Sequence, residues 1–101
     1  MSSRIVTLNP EAPREDRLRE AVSAIETGAV VSLPTETFYG LAVDAFDEDA
    51  LARVNALKRK PRGSPILLLL ADPSQIGQVA GELPPAFGTM AEMFWPGPLT
   101  I

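Results

Sequence analysis

The 101-residue sequence contains no cysteine and no histidine. Disulfides are therefore excluded, as is any protein metal site built on thiolate or imidazole. Nucleophilic catalysis by cysteine and any mechanism needing a histidine base are excluded within the chain as well. A divalent ion held by oxygens alone, arriving with a phosphate ligand, remains compatible with the composition. The longest apolar run, Ile66–Ala71, is far too short to cross a bilayer, and the N-terminus has no apolar signal region. These absences point to a cytoplasmic protein with no membrane partner. Basic residues are missing from the whole segment after Arg62, so Gly63–Ile101 carries neither lysine nor arginine.

The basic residues that are present cluster. Arg53, Lys58, Arg59, Lys60 and Arg62 are five of the nine, with no acid among them, in a chain of net charge −4. An acidic balance with one basic focus argues against a general nucleic-acid coat and for a local anion site. Apolar content of 46% with 22% charged residues is that of a globular domain.

In order, Arg4–Leu8 reads as an entry strand. Leu18, Ala21, Val22 and Ile25 follow helical spacing and predict a helix over 15–27, stopped by Gly28. Val30 and Val31 mark a buried strand over 29–33, and a polar loop, Pro34–Gly40, leads to a second short strand over 41–45. Asp47–Asp49 open a helix that Lys58–Lys60 close, the charge order a helix dipole favours. Ile66–Leu70 has the continuous apolar pattern of a central strand covered on both faces. Asp72 and Pro73 start a third helix whose stripe is Ile76, Val79, Ala80 and Leu83. A last helix carries Phe87, Met90, Ala91 and Phe94, and Leu99–Ile101 begins a further strand. Strands alternating with helices give an α/β fold class.

Two stretches carry candidate chemistry. The Lys58–Arg62 cluster offers lysine point charges and an arginine fork suited to phosphate, although cations at a helix C-terminus also complement the dipole without any ligand. In an extended loop Thr35 and Thr37 would present two hydroxyls on one side, able to grip a small polar ligand. Local turn hydrogen bonding is the competing role for threonines. Phe38 and Tyr39 read as packing more than stacking groups.

Three motifs in order, Pro34-Thr35-Glu36-Thr37-Phe38-Tyr39-Gly40-Leu41, Lys58-Arg59-Lys60-Pro61 before Pro65-Ile66-Leu67, and Trp95-Pro96-Gly97-Pro98-Leu99-Thr100, resemble the YrdC-like family of threonylcarbamoyl-AMP synthases. The resemblance spans roughly residues 15–101. It implies a twisted mixed sheet with flanking helices and a positively charged cleft, incomplete in this chain, with residues 1–101 forming the N-terminal part of a single YrdC-like domain. It implies formation of threonylcarbamoyl-AMP and pyrophosphate from L-threonine, bicarbonate and ATP, with Mg²⁺ carried on the nucleotide. That product feeds the threonylcarbamoyladenosine modification of tRNA through tRNA-modification proteins acting downstream.

By motif, Thr35 resembles the family's threonine-contacting hydroxyl, with Thr37 and Tyr39 as further site wall. Lys58 and Lys60 resemble the basic residues that meet the ATP phosphates, and Arg62 joins them as a neighbouring cation. No side chain is implied as a covalent catalyst or a metal ligand. Lys60 departs from the family's usual arginine, and the family's later Ser-x-Asn motif is missing, so the segment is expected to lack half the site. Two other readings share the fold. One is an RNA-binding or ribosome-associated module, including double-stranded RNA binding. The other is the carbamoyl-adenylate-forming domain of a hydrogenase-maturation carbamoyltransferase.

Overall fold

Helix α1, Glu15–Glu26, and its exit show how strongly short-range chemistry governs this chain. Glu15 and Asp16 sit in its first turn, where the dipole favours acids, and Glu15 pairs with Arg19 one turn on. At its end the Gly28 N–H donates to the Ile25 carbonyl and the Ala29 N–H to the Ala24 carbonyl, both at 3.0 Å. Those two bonds define a Schellman motif with Gly28, at φ +89°, as its left-handed residue.

The computed structural model describes residues 3–101, which divide in sequence into two compact units between Pro65 and Ile66. In the first unit α1 leads to β1, Val31–Pro34, which pairs antiparallel with β2, Tyr39–Ala42. The register runs from Val31 opposite Ala42 to Pro34 opposite Tyr39. Helix α2, Glu48–Leu57, follows. Its N-cap is Asp47, whose Oδ1 accepts the Ala50 N–H at 3.0 Å. The core of this unit lies on α2, where Ala50, Val54 and Asn55 are buried, and Gly28 is buried too. Arg53 reaches back from α2 and donates from Nη1 to the Gly28 carbonyl, tying the helix to the α1 exit.

Helix α2 ends in a second Schellman motif. The Arg59 N–H donates to the Ala56 carbonyl at 3.1 Å, and the Lys60 N–H to the Asn55 carbonyl at 2.8 Å. Here the left-handed residue is Arg59, at φ +56°, where a Cβ normally clashes with the backbone. Arg59→Gly is therefore expected to stabilise the fold by about 1 kcal/mol. A urea titration showing no gain would mean that the arginine side chain compensates for its own backbone.

In the second unit, a 3₁₀ turn at Pro73–Gln75 runs into a one-turn helix α3, Ile76–Val79, and helix α4 spans Pro85–Phe94. Asp72 caps the first of these. The Ser74 backbone N–H and hydroxyl hold its carboxyl below the ordinary aspartate value. That cap is fully present above the ordinary carboxylate pKa and is lost as pH falls through the lowered one. Gln75 accepts the Ala71 N–H at 2.8 Å. Along α4 the half-buried positions are Phe87 and Ala91, and Trp95 just beyond it continues the same row. The Phe87 and Trp95 rings meet edge to face at 5.5 Å.

The α/β class stands, but several expected elements do not form. Among the described residues the only sheet is the β1–β2 hairpin, and Arg4–Leu8, Ile66–Leu70 and Leu99–Ile101 are not strands. A strand is defined by its partner, and no other described segment supplies a ladder for these. Leu67 and Leu69 are 73% and 94% exposed, the reverse of a covered central strand. The third helix shrinks from 72–83 to a single turn plus its 3₁₀ start. Gly77 and Gly81 lower its propensity, and Ala80 is already extended. The second strand begins at Tyr39, two residues before its expected start, because the hairpin turn is tighter than the sequence indicates.

Candidate active site

The polar loop between the two strands is a tight turn over Thr35–Phe38, closed by the Thr35 N–H donating to the Phe38 carbonyl at 3.1 Å. Thr35 Oγ1 organises it. That oxygen accepts the N–H groups of Thr37 and Phe38 at 3.3 and 3.2 Å, and its hydroxyl donates to the Phe38 carbonyl. One donor and two acceptors are all a hydroxyl has, so the local bonds use its capacity fully. The Thr37 hydroxyl lies 3.5 Å away. The two threonine oxygens are thus brought together by a turn and not by strand alternation. The turn also leaves Phe38 and Tyr39 at 82% and 75% exposure, so the packing role expected for these rings is not realised in this chain.

The basic segment Lys58–Arg62 emerges from α2 in the same unit. Lys58, Arg59, Lys60 and Arg62 are all solvent-exposed. Among the described residues Lys58, Arg59 and Lys60 form no ion pair. Arg62 meets Asp49 only at 4.0 Å, between two exposed side chains, a contact worth little. Arg53, counted with this cluster by charge, is engaged elsewhere with the Gly28 carbonyl. The segment therefore presents four exposed cations, three of which form no ion pair among the described residues.

Backbone geometry fixes this segment as firmly as the threonine turn. The Schellman bonds hold Arg59 and Lys60, and the Ser64 hydroxyl and N–H both donate to the Pro61 carbonyl, at 2.7 and 3.1 Å. Asn55 Nδ2 donates to the Ser64 carbonyl at 3.3 Å from within the core. Sequence reading overlooked Asn55. The available signal was a polar residue beside Val54, on a helix otherwise patterned to bury that side. The third motif is also locked: Trp95 Nε1 donates to the Leu99 carbonyl at 2.8 Å, across a cis Trp95–Pro96 bond.

Chemically, a rigid exposed loop of unpaired cations can neutralise a polyanion. A hydroxyl-rich turn can orient a small polar molecule. Among the described residues no three carboxylates converge as a metal site would require. No helix among them is long and apolar enough to cross a membrane.

Comparison with known proteins agrees on one family. The model of the Sua5/YciO/YrdC family, described as telomere recombination, matches residues 23–101. A threonylcarbamoyl-AMP synthase of Pyrococcus abyssi is 38% identical over 91 residues, which cover 90% of this chain and 27% of that protein. A threonylcarbamoyl-AMP synthase of Halorhodospira halophila is 35% identical over 91 residues, covering 90% of this chain and 48% of its own length. Among solved structures, P. abyssi Sua5 complexed with L-threonine superposes with a TM-score of 0.80 at 36% identity. That match covers 85% of this chain and 25% of the other. The chain thus spans between about a quarter and a half of these relatives.

Proposed function

Because the chain belongs to the Sua5/YciO/YrdC family, we propose that it supplies the threonine-facing and phosphate-facing parts of a threonylcarbamoyl-AMP synthase. The observation that carries this reading is its likeness, at a TM-score of 0.80, to a relative crystallised with L-threonine. The locked turn at Thr35 and the unpaired cations at Lys58 and Lys60 are compatible with it.

In this reading the threonine amine and bicarbonate combine, with loss of water, to a carbamate. A carbamate oxygen attacks the α-phosphorus of ATP, and the bond to the β-phosphate breaks to release pyrophosphate. No side chain forms a covalent bond. Lys58, Lys60 and Arg62 offset charge on the β- and γ-phosphates as it builds. Mg²⁺ would arrive with ATP, carried on its phosphate oxygens. Thr35 shapes the turn, and Thr37 and Tyr39 border the threonine. A ligand that reaches Thr35 Oγ1 exchanges with its bond to the Phe38 carbonyl. The adenylate would then pass to proteins that modify tRNA.

Equilibrium titration of the chain with L-threonine and with ATP tests the reading, and saturable binding of both is expected. Lys60→Arg restores a planar fork and should tighten ATP about threefold. Unchanged ATP affinity would show that lysine grips the phosphate as well. In an enzyme carrying this chain, pyrophosphate release should require threonine and bicarbonate together, and release indifferent to threonine overturns the reaction. Binding of duplex RNA that falls steeply with salt and ignores Thr35→Val would instead support an RNA-binding module.

A further inference from the structure

Asn55 is 2% exposed, one of three buried side chains on α2 and the polar one. A buried polar side chain is retained when its hydrogen bonds matter, because burial without them is costly. Its bonds reach the basic loop at two points. The backbone carbonyl of Asn55 receives the Lys60 N–H at 2.8 Å, and its side-chain Nδ2 donates to the Ser64 carbonyl at 3.3 Å. Ser64 in turn ties back to the Pro61 carbonyl. One residue therefore holds the segment that carries Lys58, Arg59, Lys60 and Arg62 at two points, at Lys60 in its middle and at Ser64 just past its end.

We infer that Asn55 is a positioning residue for polyphosphate: it sets the spacing of the cations without touching the ligand. This inference rests on the assignment of the 58–62 cluster to the ATP phosphates. A leucine at this position would fill the space equally well, yet it would leave the Ser64 carbonyl without its donor and release the loop exit. The ligand would then have to order the loop on binding, and affinity would fall even though every cation remained in place.

The test uses the 101-residue chain with inorganic tripolyphosphate and L-threonine as separate probes. Asn55→Leu should weaken tripolyphosphate about tenfold, the equivalent of one net hydrogen bond. L-Threonine affinity should stay within twofold, and amide exchange should speed up at Ser64 and its neighbours. Asn55→Asp, which keeps the size but sets a carboxylate oxygen against the Ser64 carbonyl, should do the same and stands in if the leucine variant fails to fold. Unchanged tripolyphosphate affinity, or equal losses for both ligands, overturns the positioning role. If the unaltered chain binds L-threonine but not tripolyphosphate, the phosphate assignment of the cluster falls, and this inference with it.

Discussion

Gly28→Ala should lower the unfolding free energy by about 2–3 kcal/mol. Two costs coincide at this site. The residue sits at φ +89°, where a Cβ is strained, and an added Cβ would lie 2.9 Å from Asp47 Oδ2. Asp47 is the N-cap of α2, so relieving the clash disturbs a second helix start. The Gly28 carbonyl also receives Arg53, so the disturbance reaches the body of α2. Gly63 provides the control. Its φ is +83°, but nothing lies within 4 Å of an added Cβ. Gly63→Ala should therefore cost only the conformational part, about 1 kcal/mol. Urea unfolding of the two variants separates clash from strain, and equal losses would show that the Asp47 contact relaxes freely.

The second large effect concerns the unpaired cations. Lys58→Ala combined with Lys60→Ala should weaken ATP at least about 100-fold, since each charge-assisted contact is worth roughly 1.5–3 kcal/mol. L-Threonine affinity should be retained, because the Thr35 turn is built by its own local bonds and borrows nothing from this loop. Calorimetric titration of both ligands distinguishes the outcomes. A loss shared by threonine would mean that the two parts of the site are coupled. An ATP loss below threefold would move the phosphate contacts away from these lysines.

Features whose cause lies within a few residues were legible in the sequence. The acids and bases of α2, the periodicity of α1 and the stop at Gly28 act locally, and the helices form within a few residues of their expected bounds. Elements whose cause lies in a distant partner were not legible. Ile66–Leu70 has the composition of a central strand, but composition does not supply a neighbour to pair with. The same holds for charge. Arg53 counts as a cation in sequence, and only the fold reveals that a carbonyl 25 residues earlier holds it.

For the candidate site, the sequence pointed to the right stretches and misjudged their local geometry. Strand alternation and a tight turn both place Thr35 beside Thr37, so the correct proximity followed from the wrong conformation. In α2 the apolar Leu57 is 63% exposed, whereas the polar Asn55 is buried. A helical face shows which side turns inward, but not how far along the axis the neighbouring structure extends.

The placement of the basic loop has one further consequence. Anions usually gather at helix starts, where backbone N–H groups point outward. These cations follow the end of α2, where the last carbonyls give the opposite field. The N–H groups of Lys58, Arg59 and Lys60 are taken by helix carbonyls, so on the proposed assignment phosphate would be attracted by the cationic side chains of this segment. Such a site selects by charge number and reach. On the proposed phosphate assignment, an extended triphosphate would bridge Lys58 and Lys60 and stay clear of the carbonyl end, whereas a lone orthophosphate would have too few charges to offset the repulsion.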